Sequence, residues 1–403
     1  MFTILTQFAD HKRPLRHARL RDLGHGLVLI FAAATLAVVA PGAVQAKNKL
    51  SDIEKQYVVE IEPLEHYYNE TLLTADERLR SPIDVSQRRR LFGYKFSGAF
   101  ECPQVPQAIK FLEPPDYDRN RSGWFRKIRP LYYYLDMVVA MSDEYVLARP
   151  ASGRIASCVL DWLHGWASKG AMVHGDPKNH AGKVERRWFS GTVAWAWLKI
   201  RDHDGLDDAK VKRVLQWFGN LAARSLKTHA EYNNHAYWEG LTAMLNGVAL
   251  NQRVLFDFGV SRYRLAMAQM LPGGRLPREM KRGWRSLDYH NFALEPLVLM
   301  AEIAAANDVD LYGMQIEGND IHALAKFVVD GVEDVDTYTK FSEYKQLLCF
   351  VCSVSLHWME PYYARFKDPR MVTFLKRRRP FINRRVGGDQ TIAYGVKKLP
   401  KEE

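Results

Sequence analysis

The chain has 403 residues, 47% of them hydrophobic, 26% charged and 12% aromatic, with 4 cysteines. That length carries one large core or two ordinary ones, and the balance excludes a disordered chain, a membrane bundle and a disulfide-dense scaffold. The net charge of +11 points to an anionic partner: nucleic acid, a membrane surface or an acidic polymer.

Residues 1–46 read as a secretory signal peptide. Lys12, Arg13, Arg16, Arg19 and Arg21 precede the apolar run Gly26–Ala40, which is too short to span a bilayer. Pro41 and Gly42 break the run, and Ala43-Val44-Gln45-Ala46 offers a small-residue cleavage site. Export removes five basic and two acidic side chains, leaving a mature chain of about +8. A periplasmic protein without further membrane insertion is therefore expected, with an acidic polymer rather than nucleic acid as partner. Residues 47–403 are expected to be a single domain. Its N-terminal segment, 47–130, is mixed and charged to about residue 95 and loop-like over 96–130, where prolines punctuate it. From Pro130 to about Glu360 apolar residues recur at helical spacing: 155–166, 184–200, 209–226, 235–249, 253–270, 286–305, 319–331 and 343–358. No hairpin or alternating strand is evident. About nine helices with short connections make an all-α domain of antiparallel hairpins, arranged as a toroid or a solenoid. Residues 360–403 read as a basic tail that either packs on the helical body or frays.

Three clusters can carry chemistry. Tyr232-Asn233-Asn234-His235-Ala236-Tyr237-Trp238 places amide, imidazole, phenol and indole at a helix start, where donors and dipole favour an anion. The plainer reading makes an Asn the N-cap and buries Tyr237 and Trp238. Lys281–His290 holds Arg282 and Tyr289 seven residues apart, about 10.5 Å along one face of a continuous helix, although Gly283 weakens that continuity. A guanidinium suits carboxylate binding, and a phenol can move a proton. Asn179–Lys183 with Arg186, Arg187 and Trp188 can line a cleft, or simply lead into a core helix. Cys102 and Cys158 can be joined in an oxidising compartment. Cys349-Phe350-Val351-Cys352 lies in an apolar setting and reads as core thiols or a local disulfide. No metal-ligand set, phosphate loop or nucleophile elbow is present.

With these clusters the chain resembles polysaccharide lyase family 5, the periplasmic alginate lyases, from about Cys102 to Tyr394. The resemblance rests on Cys158–Leu163, Asn179–Lys183, Asn233–Trp238, Leu276–Arg282, Leu287–Leu294, Ala305–Leu311, Met359–Tyr362 and Gly387-Gly388-Asp389. It implies an incomplete α/α toroid with a substrate tunnel, and β-elimination of a (1→4)-linked polyuronate without metal or organic cofactor. By this resemblance Asn234, His235 and Arg282 hold and neutralise the C5 carboxylate, and Tyr289 protonates the departing O4. Tyr289 also serves as base when C5–H and O4 share a face, as in mannuronate; His235 is the expected base for guluronate. Tyr117, Lys183, Trp188, Trp238, His290 and Arg385 are expected to contact substrate, and the protein is expected to be a monomer. Polymannuronate is the first expected substrate and polyglucuronate the second. Two departures from the family pattern bear on this choice: Phe292 stands where members commonly carry Tyr, and Asp116-Tyr117-Asp118-Arg119 moves the cation of the lid pair. A non-catalytic binder of acidic polysaccharide is the other reading from the residues. A toroidal glycoside hydrolase would need two cleft carboxylates, which the motifs do not supply.

Overall fold

The computed structural model describes residues 100–105, 114–117, 119–148, 153–176, 178–226, 232–347, 355–396 and 398–400. The leader, residues 47–99 and the Cys349–Cys352 motif lie outside these residues.

Eight longer helices form the frame: α1 Arg121–Ala148, α2 Gly153–Ser168, α3 His180–Ile200, α4 Asp208–Leu226, α5 Asn234–Leu250, α6 Arg253–Gln269, then α8 Ser286–Ala305 and α9 Ile321–Glu333. The short α7, Pro277–Met280, precedes α8, and α10, Val335–Tyr338, follows α9. Caps set several starts, because an Asn or Asp oxygen satisfies an orphan backbone N–H. Asn179 accepts from Gly182 N (2.8 Å), Asn233 from His235 N (2.9 Å) and Asp320 from Ala323 N (2.9 Å).

The helices form two layers. α1 packs on α3, α3 on α5 and α5 on α8, while α2 packs on α4 outside them and α6 and α9 back α5 and α8. Successive helices thus alternate between an inner and an outer layer, the arrangement of an α/α toroid. Sequence dictates the layering. In α5 every residue from Asn234 to Ala249 except His235 is buried, and α3 is buried beyond its first turn except at Trp188. A helix that is apolar all round cannot face water. In this alternation α3, α5 and α8 run in one direction, and their N-termini open at one end of the toroid.

The first strong departure from expectation is at Pro130. The predicted loop 96–130 ends earlier, because α1 starts at Arg121 under an Asn120 cap on Gly123 N (2.9 Å). Pro130 sits inside the helix and removes one backbone hydrogen bond; the buried Ile128, Leu131 and Leu135 around it hold the helix in place. The predicted helix over 343–358 is also absent from its described part. Residues 343–347 cross the start of α8 as a loop, where Gln346 Oε1 accepts from Leu287 N (2.9 Å) and its Nε2 donates to Gly283 O (3.1 Å). Cys102 and Cys158 are disulfide-bonded, tying the chain before α1 to the middle of α2.

The C-terminal segment does not fray. It folds as α11 Met359–Phe366, α12 Val372–Arg378, a two-residue hairpin of β1 Ile382–Asn383 with β2 Gly388–Asp389, and α13 Gln390–Tyr394. The hairpin escaped sequence reading because two residues per strand carry no alternation. Charge pairs fix the strap: Arg379 forks onto the buried Glu360 with two 2.7 Å bonds, and Thr391 Oγ1 donates to the same carboxylate (2.7 Å). Arg384 forks onto Asp136 of α1 (2.7 and 2.6 Å). The buried Lys199 of α3 donates to Asp143 and to the Gly387 carbonyl. Removing one partner of a buried pair strands the other. Arg379→Ala is therefore expected to destabilise the protein by about 3 kcal/mol, measured by urea unfolding; a loss under about 1 kcal/mol would mean the strap is held elsewhere.

Candidate active site

The N-terminal ends of α3, α5 and α8 bring the chemistry together, and a buried carboxylate links two of them. Glu279, on α7, is fully buried. Its Oε1 accepts from Asn234 N (2.8 Å) and Nδ2 (3.0 Å), and its Oε2 accepts from Asn234 Nδ2 (3.1 Å) and Arg282 Nε (3.4 Å). Burial pushes the Glu279 carboxyl upward, while Asn234 and Arg282 pull it back. This contact also decides which way the Asn234 amide points. A flipped amide would set Oδ1 against the carboxylate oxygens, so the nitrogen faces Glu279. Oδ1 is then left buried without a hydrogen-bond partner.

His235 follows in the first turn of α5. Its Nδ1 is likewise buried and unpartnered. Burial first, then the charges of Arg187, His180, Arg282 and Arg385, depress the imidazole to about 3. It is a neutral imidazole at ordinary pH. Buried polar atoms are normally paired, so two orphans on consecutive residues mark a place prepared for something else.

Arg282 and Tyr289 meet, though not through a continuous helix. Gly283 adopts φ +57 and opens a 3-10 turn over Gly283–Arg285, after which α8 starts at Ser286. The turn folds Arg282 back, so that its Cζ lies 4.4 Å from the Tyr289 ring centroid. Arg285 Cζ lies 4.8 Å from the same ring and pairs with Asp288 (3.4 Å). Tyr289 is partly buried, not packed into hydrocarbon.

The remaining expected contacts divide. Trp188 lies 6.4 Å from His235 and 6.1 Å from Phe292 between ring centroids, and Phe292 lies 6.4 Å from Tyr289. Arg385, brought in by the C-terminal strap, stacks on Trp188 with Cζ 3.6 Å from the ring. Its Nη2 donates to Tyr132 Oη (2.9 Å), which donates to Glu185 (2.9 Å), while Nε is unpartnered. Burial pushes Glu185 up to about 7 against the pull of Arg385. Tyr117 stacks edge-on against Trp124 (5.0 Å) and acts on the charge of Arg285. Lys183 stands in the first turn of α3 and makes no side-chain hydrogen bond among the described residues.

Two expected contacts fall elsewhere. Trp238 is 1% exposed and donates its indole N–H to Phe292 O (3.1 Å), so it supports the site wall from behind. His290 is wholly buried; its Nε2 accepts from Leu276 N (2.9 Å), which holds the chain entering α7. One residue past Tyr289, it is turned about 100° around α8 and faces the interior. Two residues were missed. Glu279 lies inside the quoted Leu276–Arg282 motif, and a carboxylate three residues before an arginine was a usable signal. Arg285 was readable from the same cluster. Arg187, read with Trp188 as lining a cleft, donates to His235 O (3.2 Å) and pairs with buried Glu239 (3.3 Å).

The alginate lyase family model matches residues 141–338. A polysaccharide lyase of Stenotrophomonas maltophilia is 32% identical over 302 residues, 73% of this chain and 87% of that protein. The chain belongs to the alginate lyase family. An alginate lyase of Pseudomonas aeruginosa is 33% identical over 249 residues, 59% of this chain and 67% of that protein. Among solved structures, a tyrosine-to-phenylalanine variant of alginate lyase A1-III complexed with tetrasaccharide matches with TM-score 0.69 and 26% identity, covering 82% of this chain and 98% of that one. Alginate lyase A1-III from Sphingomonas species A1 matches with TM-score 0.62 and 26% identity, over 87% of this chain and 94% of that one. The protein is thus a polysaccharide lyase built as an α/α toroid.

If Glu279 acts by fixing the Asn234 amide, the two residues form one unit. Glu279→Gln is expected to lower kcat/KM about 30-fold, yet to cost little more in an Asn234→Ala background. Additive losses in that double-mutant cycle would assign Glu279 a separate role.

Proposed function

We propose that the protein is an exported lyase that cleaves a (1→4)-linked polyuronate, polymannuronate first, by β-elimination. The observation that carries this reading is the pair of orphaned acceptors, Asn234 Oδ1 and His235 Nδ1, beside a guanidinium laid over the Tyr289 ring. Elimination needs the C5 carboxylate neutralised, a base for the C5 proton and an acid for O4. Arg282 supplies fixed positive charge for the carboxylate and for the enolate that forms from it, a preorganised electrostatic contribution. The N-termini of α3, α5 and α8 add their dipoles. Asn234 serves through its amide oxygen, which accepts from a protonated acid or a sugar hydroxyl; it does not itself neutralise a bare carboxylate. Tyr289 gives its proton to O4 as the C4–O4 bond breaks. In mannuronate the phenolate form of Tyr289 first takes the C5 proton, giving the enolate, and then passes that proton to O4 as the bond breaks, with Arg282 and Arg285 stabilising the phenolate before and after. In guluronate the C5 proton lies on the opposite face, and neutral His235 takes it.

Polyglucuronate is the second reading. Phe292 lines the site 6.4 Å from Tyr289 without a hydroxyl, so one sugar contact expected from the family pattern is missing. The same eliminating groups would serve either polymer. Export is supported by the leader and by the Cys102–Cys158 bond, which suits an oxidising compartment.

Incubation with polymannuronate, polyguluronate and polyglucuronate, followed by ultraviolet absorbance of the unsaturated product, tests the reading. Hydrolysis would raise reducing ends without that absorbance. Tyr289→Phe should reduce turnover at least 1,000-fold (about 4 kcal/mol) while polymer affinity holds; substantial residual elimination would remove Tyr289 from its role. His235→Ala should impair guluronate cleavage more than mannuronate cleavage. Because His235 protonates only near 3, wild-type kcat/KM on guluronate should show no acid limb around pH 6.5, where an exposed histidine titrates. Such a limb would mean that the base is another group.

A further inference from the structure

Beside the catalytic groups the turn at 281–285 presents an indole that nothing in the fold requires. Trp284 is 52% exposed. Its backbone is held without help from the ring: Gly283 O accepts from Gln346 Nε2 (3.1 Å), and Trp284 O accepts from Leu347 N (2.8 Å). Gln346 is itself buried and fixed to Leu287 N. The ring therefore stands on a rigid turn, and its described neighbour is a cation, Arg285, with Cζ 5.8 Å from the ring. Tyr344, 50% exposed, packs over Gly283, where an added Cβ would lie 3.5 Å from its ring. Lys281 and Lys345 are exposed on the two segments that meet here. The acids nearby are Glu343, exposed on the 340–347 segment, and Asp288, paired with Arg285.

We propose that Trp284 and Tyr344 form an outer sugar-stacking subsite for the polyuronate chain as it leaves the catalytic groups, an inference that rests on the lyase reading above. Arg285 gives the continuity. Its guanidinium lies 4.8 Å from the Tyr289 ring and 5.8 Å from the Trp284 ring, so the two rings are close enough for one or two sugar residues to bridge. A uronate chain offers the two complements this patch needs. The apolar C–H face of a pyranose stacks on an indole, and its carboxylates meet Lys281, Arg285 and Lys345. A protein partner would favour a larger and drier apolar patch than two half-exposed rings among lysines. Preorganisation makes the contact cheap, because ring and backbone lose little freedom on binding.

The subsite can be read by chain length. Trp284→Ala should lower the ratio of kcat/KM on polymer to kcat/KM on trisaccharide about fivefold, the scale of one stacked ring, and Trp284→Tyr should restore most of it. An unchanged ratio, or equal loss at both lengths, would overturn the subsite. Affinity electrophoresis through polymannuronate and polyglucuronate gels, in a Tyr289→Phe background, reads the same contact without turnover. There Trp284→Ala should migrate faster than its parent in at least one gel; equal migration in both counts against the proposal. Should the wild-type protein release no unsaturated sugar, the lyase reading falls, and the gels still decide whether Trp284 binds the chain. Thermal melting of Trp284→Ala should match wild type, since the ring supports no fold contact.

Discussion

A single buried carboxylate organises the site. Glu279 accepts the backbone N–H that begins α5, the amide of Asn234 and the guanidinium of Arg282. A carboxylate at zero exposure is costly unless hydrogen-bonded, and these partners come from two separate segments. The cost of leaving it unpaired therefore draws the start of α5 and the turn before α8 together. Asn234 cannot rotate without facing oxygen to oxygen. Arg282 is anchored at Nε, which leaves the rest of its fork to lie over Tyr289. The relation between an acceptor, a cation and a phenol is thus fixed by packing before any substrate arrives, as electrostatic catalysis requires.

The toroid makes that arrangement possible. Inner helices buried on all sides need outer helices to cover them, and the alternation leaves the N-termini of α3, α5 and α8 at one end. Orphan N–H groups and dipoles then point at a common space. The end is completed from far along the chain. The C-terminal strap carries Arg385 to Trp188, and Glu360, Asp136 and Lys199 hold the strap against the helices. Residues 132, 185, 188 and 385, distant in sequence, become one cluster because paired charges replace hydrocarbon as the means of attachment.

Much of this was legible before any coordinates. Helices α3 to α6 and α8 lie within a residue or a few of their apolar stripes, since 3.6-residue periodicity reports burial directly. Of the two readings of the cluster at 233–238, the plainer one holds, with Asn233 capping the helix and Tyr237 and Trp238 buried; Asn234 and His235 carry the orphaned atoms on which the functional reading rests. What the pattern could not carry was direction. Trp238 and His290 have the right chemistry and adjacent positions, but lie on the buried sides of α5 and α8, and one residue of helix turns a side chain by 100°. Arg282 and Tyr289 were placed together by assuming a helix through Gly283; they meet because that helix is interrupted. For Glu279 the local cue is Arg282, three residues on, whereas its pairing with Asn234 across 45 positions leaves no trace in the sequence. The segment 343–347 misled for a related reason: its apolar Tyr344 and Leu347 are exposed, and the residue buried there is the polar Gln346, held by bonds to Leu287 and Gly283.

The charge state of His235 ties the site to its ligand. A half-buried imidazole beside Arg187, His180, Arg282 and Arg385 is held in its neutral form. A general base so depressed is weak, because its conjugate acid gives the proton back readily. An anionic sugar changes that balance. A carboxylate set against Arg282 cancels part of the field that depresses the imidazole, and opposite charge nearby favours the protonated form. In the proposed elimination the substrate would thereby raise the basicity of His235, and by linkage the protonated His235 would hold the enolate-like intermediate more tightly than the starting acid. In the proposed mechanism such a pocket favours polymers that bring their own negative charge: a neutral glycan would do nothing to relieve the field of Arg282 that depresses His235.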